Sequence, residues 1–433
     1  MTINRKGSGQ MIISKTINKN INFNSIFHGD RYAFSRAGAK VLFGFHLFCL
    51  IFLSIFPENS YSQEVPRVRI YGKVIDASTR KSLYFANVFL SNTTLGAATD
   101  EMGVFTIVNI PLGTHELTVS MMGYELQTRS IDLTKPVDRE FNFRLKPKPI
   151  QAPELKVTAD IPKEWKKNLK KFERYFLGLS PNASKCEILN SEILDFEFNE
   201  ETNELKSSAS GPLLIENRAL GYRIHTHLKN FLFREDFDGE YVCNSRYEPL
   251  VPKNEREGKK WKKNRLKAYY GSKRHFFISL VKNRLDEEGY VLRNVLTATI
   301  RDLSLQDENI YFNAIKAADI LARGKKDFEG MLSFPNYLQV IYTKEEEAKD
   351  YIWSRHHRGT GQFSWLKMNM NNVTVNALGH VYNPYALTID GYMAWERFAE
   401  TLPLDYSPDA PIVPVPEAPP LFWSDRILLP KFV

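Results

Sequence analysis

Between residues 68 and 145 the chain is built of short runs broken by turn signals. VRIYGKVID, ANVFLS, GVFTIVNI, HELTVSMM and FNFRL are β-branched and aromatic, and they alternate in part between apolar and polar positions. Asn-Thr-Thr, Thr-Asp-Glu-Met-Gly, Pro-Leu-Gly and Gly-Tyr interrupt them. Five or more short strands at this spacing predict an all-β sandwich, because each strand buries only every second side chain and needs a facing sheet.

The same stretch carries a family pattern. Gly72-x-Val74-x-Asp76, Ala86-Asn87-Val88, Thr99-Asp100-Glu101-x-Gly103-x-Phe105, Ile110-Pro111-x-Gly113, Leu117-x-Val119-Ser120 and Gly123-Tyr124 follow in order. The region resembles a carboxypeptidase regulatory-like domain, a transthyretin-like seven-stranded sandwich. Gly72, Gly103, Gly113 and Gly123 are expected at tight turns that need positive φ, with Asp100 in the central one. The resemblance implies a module that lies beside a functional domain and does no chemistry itself. In Gram-negative envelopes such modules form N-terminal extensions, including on TonB-dependent receptors, and Glu154-Leu155-Lys156-Val157-Thr158 resembles the segment that follows them there. The roughly 275 residues after it are too few for a 22-stranded barrel with its plug. No His-x-x-Glu pair exists for a carboxypeptidase zinc site.

Ahead of the sandwich, basic residues precede Lys40, and Val41–Phe56 is a 16-residue apolar run ended by Pro57. Ser60-Tyr61-Ser62 then offers small residues at −3 and −1 for signal-peptidase cleavage. Export with cleavage is expected; the alternatives are an uncleaved anchor or a later start such as Met11. This leader also accounts for most of the net charge of +8. Residues 1–62 hold 7 basic and 2 acidic residues, leaving 51 basic and 48 acidic in the remainder. A nucleic-acid partner is therefore not expected. Three cysteines are too few for a disulfide framework. In an oxidising compartment Cys186 and Cys243 could pair; two isolated thiols are the alternative.

After the sandwich, Lys146-Pro-Lys-Pro-Ile-Gln-Ala-Pro reads as a stiff connector. A helix is expected from Pro162 to Gly178, with Trp165, Leu169, Phe172 and Phe176 on one face and Lys163, Lys166, Lys167, Lys170 and Lys171 on the other. That cationic face suits either solvent or an anionic surface such as lipid headgroups. Further on, strands are expected at 193–198, 204–209, 222–228, 290–301 and 337–343. Ser272 is expected to cap a helix that ends at Gly289, Asp390 to cap another, and Thr343-x-x-Glu346 to form a capping box. The organisation read here is a leader (1–62), a sandwich (63–147), a linker with helix (148–183), an α+β domain on antiparallel sheet (184–406) and a Pro-rich tail (407–433). The fold class is accordingly mainly β with an α+β second domain. That second domain resembles uncharacterised envelope proteins carrying the same module, which brings no known activity.

Four constellations are candidates for function. His225-x-His227 puts two imidazoles on one strand face, a partial zinc set or a polar surface. Lys253 to Arg274 contains ten basic residues. Lys259, Lys260, Trp261, Lys262, Lys263 and Arg265 within it suit an anionic lipid or glycan, or form a solvated loop entering a helix. Ser354-Arg-His-His-Arg-Gly-Thr-Gly361 could hold an anion or supply a base. Glu396 within Trp395-Glu396-Arg397 is a conceivable catalytic acid. There is no Gly-x-Ser-x-Gly, His-Glu-x-x-His, P-loop or Cys-x-x-Cys. No metal or cofactor is expected. These features predict an exported, periplasmic or outer-membrane binding protein whose partner is another envelope protein, such as an outer-membrane barrel. The alternative is an envelope hydrolase acting on glycan or peptide, with its site in 184–406.

Overall fold

The computed structural model describes residues 67–148, 162–234, 239–295, 312–351 and 360–409. The leader, the Glu154–Thr158 segment, most of the 354–361 loop and the tail beyond 409 lie outside them. In the sandwich the strands are β1 (Arg67–Asp76), β2 (Asn87–Leu90), β3 (Gly96–Ala98), β4 (Val104–Pro111), β5 (Gly113–Ser120), β6 (Gln127–Leu133), β7 (Arg139–Glu140) and β8 (Phe143–Leu145). One sheet has the order β4-β1-β7, with β8 also paired to β1; the other is β3-β2-β5-β6.

Alternation drives this assembly. Val68, Ile70 and Val74 of β1 and Phe105 and Ile107 of β4 point inward, against Val88, Leu90, Leu117 and Val119 of the facing sheet. At the central turn the Asp100 carboxylate accepts from Met102 N at 2.9 Å and Val104 N at 2.8 Å. Gly103 there has φ +74°, as its turn requires. Gly72 departs from expectation. It lies inside β1, and a Cβ there would come within 1.8 Å of the Phe141 carbonyl oxygen. Its missing side chain admits a neighbouring backbone, not a turn.

The body begins with α1 (Lys163–Phe176), followed by β9 (Cys186–Ile188), β10 (Leu194–Asn199), β11 (Glu204–Ala209), β12 (Leu213–Asn217), β13 (Tyr222–Phe233) and β14 (Gly239–Pro249). These strands form an antiparallel sheet, β10-β11-β13-β12-β9, with β14 along the other side of β13. The apolar stripe of α1 lies on it: Phe172 is 4.6 Å from Phe231 and 5.1 Å from Phe176 between ring centroids. The helix thus belongs to the body's core and not to a linker.

Next come α2 (Glu255–Tyr269), α3 (Lys273–Val281), α4 (Leu285–Glu288), β15 (Tyr290–Val295), β16 (Phe312–Ala314), α5 (Ala317–Ile320), β17 (Leu321–Arg323), β18 (Glu329–Leu332), β19 (Tyr337–Tyr342), β20 (Gln362–Met368), β21 (Val373–Asn376), β22 (Leu387–Gly391) and α6 (Tyr392–Trp395). A second antiparallel sheet, β16-β15-β19-β20-β22, buries Leu338, Val340 and Leu366 against Phe276, Phe277 and Leu280 of α3. A third has the order β17-β18-β21. Ser272 caps α3 through His275 N and Gly289 ends α4 with φ +85°, so the one helix expected between them is two, broken at Lys282–Arg284.

Three further local expectations fail. Lys253–Arg274 is mostly helix, started by Asn254, whose side chain accepts from Glu257 N. Asp390 lies within β22, paired opposite Trp365, and the residue that precedes the single turn of α6 is Gly391. Thr343 starts no helix, since its hydroxyl and its N–H both bond Gly289 O at 2.9 Å.

Candidate binding surfaces

The sandwich is seated on the body through the outer face of its second sheet. β2 is buried on both faces: Val88 and Leu90 enter the sandwich core, while Asn87 and Phe89 face β13 and β14. The Asn92–Thr93 corner extends the β14 edge. Asn92 N donates to Ser245 O at 2.6 Å, and Tyr247 N to Thr93 O at 2.9 Å. The chain after α6 closes the joint. Leu404 N donates to Asn92 O at 2.7 Å, and Asp405 accepts from Thr94 N at 2.9 Å and from the Thr94 hydroxyl. Arg274 pins that segment by donating to Leu404 O at 2.6 Å and Tyr406 O at 2.9 Å.

This seam is where His225 and His227 reside. His225 Nε2 lies 3.3 Å from Glu248 Oε2, and the His227 ring stacks 6.3 Å from Phe89. Burial, then His225 and Lys229, push the His227 imidazole down to about 4. Beside them Arg246 reaches Asn87 at 3.4 Å, and Asn244 reaches Thr118 at 3.5 Å. Among the described residues no group of three metal-ligating side chains gathers. The pair faces the sandwich and serves the domain contact. A second patch joins β5 and β6 to β18: Lys326 Nζ lies 2.5 Å from Asp132, 2.8 Å from the Thr114 hydroxyl and 3.0 Å from buried Glu329.

The basic segment splits in two. Trp261 is only 6% exposed, and its indole N–H donates to Arg218 O at 2.9 Å. Arg265 donates to Leu220 O at 2.6 Å and Gly221 O at 3.1 Å and lies over the Tyr222 ring. Both hold α2 on the β12–β13 turn, Trp261 buried and Arg265 half-buried. Lys259, Lys260, Lys262 and Lys263 are solvent-facing, Lys260, Lys262 and Lys263 without a described acidic partner. No disulfide joins Cys186 and Cys243; both are free thiols. Three ladder steps and six residues of register separate them, on the order of 20 Å, far beyond disulfide reach. Burial raises the thiols to about 12 and about 11.

Glu396, a candidate from the sequence, has the carboxyls of Glu400 and Glu345 in its electrostatic surroundings. Burial, with Glu400 and Glu345 nearby, holds the Glu396 carboxyl well above the usual range, and burial raises Glu345 and Glu400 as well. Glu400 accepts from the Ser180 hydroxyl and from Asn182 Nδ2 at 2.7 Å. Lys273, at the start of α3, is exposed to solvent. These residues come from four separate segments of the chain, so no local spacing links them.

Two surfaces face outward. β4 is the outer strand of its sheet, and its sequence VFTIVNIP carries no charge. Val104 and Val108 on it are 40% and 50% exposed, beside Tyr71 on β1. Free edges are normally blunted by charge; β6, an edge strand of the facing sheet, carries Arg129 and Asp132. The other surface is the cationic face of α1, where Lys163, Lys166, Lys167, Lys170, Lys171 and Arg174 line a depression of about 480 Å³.

The family model for the CarboxypepD_reg-like domain matches residues 70–157. The sandwich is a carboxypeptidase regulatory-like domain. No curated protein matches the chain. Solved structures are similar over short stretches. The group B streptococcus pilus 2b backbone protein is 21% identical over 18% of this chain and 40% of its own, with a TM-score of 0.17. The minor pilin of Streptococcus agalactiae is 15% identical over 22% and 47%, at 0.17. An interface mutant of a type II cohesin–X-dockerin complex from Acetivibrio cellulolyticus is 24% identical over 18% and 52%, at 0.15. The chain thus spans about half or less of the length of each. The regulatory-like domain is an integral part of the described body, joined at β14 and β18. Among the described residues no helix is long and apolar enough to cross a membrane.

Proposed function

We propose that this chain is an exported, non-catalytic binding protein of the cell envelope. Its regulatory-like domain docks an envelope protein by strand addition at β4, and an outer-membrane barrel is the partner expected from the leader and the module. The observation that carries this reading is the uncharged outer edge of β4, unpaired among the described residues, with Val104 and Val108 exposed beside it. Backbone N–H and C=O groups along such an edge provide affinity, and the exposed valines provide selectivity. The body fixes the domain from the opposite side, which leaves this edge free to receive a strand.

The test is co-purification of the C-terminally tagged full chain from gently solubilised envelopes, with mass spectrometry. A stoichiometric partner is expected from the parent and not from Thr106→Lys/Val108→Lys, whose melting temperature should stay within a few degrees of the parent's. Equal recovery with both chains, or no partner with either, overturns the reading. The carboxyls of Glu345, Glu396 and Glu400 support the hydrolase alternative. That alternative predicts release of fragments from peptidoglycan or peptide, abolished by Glu396→Gln.

A further inference from the structure

We propose that the cationic face of α1 is a docking surface for an anionic lipid bilayer. The proposal rests on a different surface from β4 and stands or falls independently of strand addition. Lys163, Lys166, Lys167, Lys170, Lys171 and Arg174 follow the spacing i, i+3, i+4, i+7, i+8, i+11. At 1.5 Å per residue they form one stripe roughly 16 Å long. Within the helix only Glu164 and Glu173 oppose them. Lys167 meets Glu164 loosely at 3.8 Å, and no described carboxylate pairs with Lys163, Lys166 or Lys170.

The opposite face of the helix is already used. Phe172 and Phe176 are fully buried, and the Trp165 indole donates to Leu194 O at 3.1 Å. The helix therefore has no apolar face to insert into acyl chains, and its contact with a membrane must be peripheral and electrostatic. Lys171 lies 3.7 Å over the Phe198 ring, which seats the stripe firmly on the sheet. A straight, rigid row of cations suits an extended plane of phosphates, which a bilayer supplies.

The experiment is co-sedimentation of the full chain with vesicles of phosphatidylcholine alone and with about one third phosphatidylglycerol, at low and at about 0.5 M salt. Binding is expected only to the anionic vesicles and is expected to disappear at high salt. Lys163→Glu/Lys166→Glu/Lys170→Glu should weaken it roughly tenfold or more. Lys259→Glu/Lys260→Glu/Lys263→Glu on α2 should leave it intact, and far-ultraviolet circular dichroism checks that both variants are folded. Equal binding to neutral vesicles, no binding, or equal loss from the α2 variant overturns the proposal. Retention on heparin without vesicle binding overturns it too, and assigns the stripe to a soluble polyanion.

Discussion

At the scale of single residues, composition and burial give opposite readings of the same segment. Trp261 sits among lysines, yet its ring fills the space beside Gly221, where a Cβ would come within 2.3 Å of it. Trp261→Ala removes a buried ring and a hydrogen bond to Arg218 O, so a loss of about 3–5 kcal/mol is expected in denaturant unfolding. Charge reversal of Lys262 or Lys263 next to it should change stability by no more than about 0.5 kcal/mol. His227 gives a pH prediction. Its folded imidazole titrates near 4 because burial opposes the charge, whereas the unfolded one titrates near about 6.5. Between those values the unfolded chain binds more protons, so stability falls as pH drops from about 6.5 towards 4, by at most about 3 kcal/mol from this group. His227→Gln should flatten the melting temperature against pH in that window. An unchanged slope would show that His227 is not buried neutral at the seam.

At the scale of elements, the contact between β6 and β18 rests on one lysine. Lys326 bridges Asp132 of the sandwich and Glu329 of the body, and Glu329 also accepts from Tyr382 OH at 2.8 Å. Lys326→Met strands a buried carboxylate, and a loss of about 3 kcal/mol is expected. Lys326→Met/Glu329→Gln should recover part of it, because the uncompensated charge is gone. Thermal melts of the parent, Lys326→Met, Glu329→Gln and the double variant test this; a double variant as unstable as the sum of the two singles would refute the pairing. The same seam explains β2. β2 is buried along its whole length, and only the docked body makes sense of Asn87 and Phe89 pointing away from their own sandwich.

At the scale of the whole molecule, the described sandwich and body cluster as one unit. The Asn92–Thr93 corner, Asp405, Arg274 and Lys326 tie them at several points. One cooperative transition is therefore expected in calorimetry of the full chain, with calorimetric and van't Hoff enthalpies equal. Two resolved transitions would mean that the seam is too weak to couple the modules. The arrangement also places the two proposed contacts on separate modules: strand addition on the sandwich, bilayer attachment on α1 of the body.

The sequence by itself determined the regulatory-like sandwich, its central turn at Asp100–Gly103, the antiparallel strands and the amphipathic α1. Each rests on contacts between residues close in the chain: alternation, turn chemistry, helical spacing. It also placed Ser272 as a cap and Gly289 as a stop for the same local reason. Only the tertiary structure decided what the singled-out side chains do. His227 stacks on Phe89 of the sandwich, more than a hundred positions away, Cys186 and Cys243 stay apart, Trp261 and Arg265 turn inward, and Glu396 comes under the influence of Glu345 and Glu400. Burial and long-range pairing set those roles, and neither leaves a mark in local spacing.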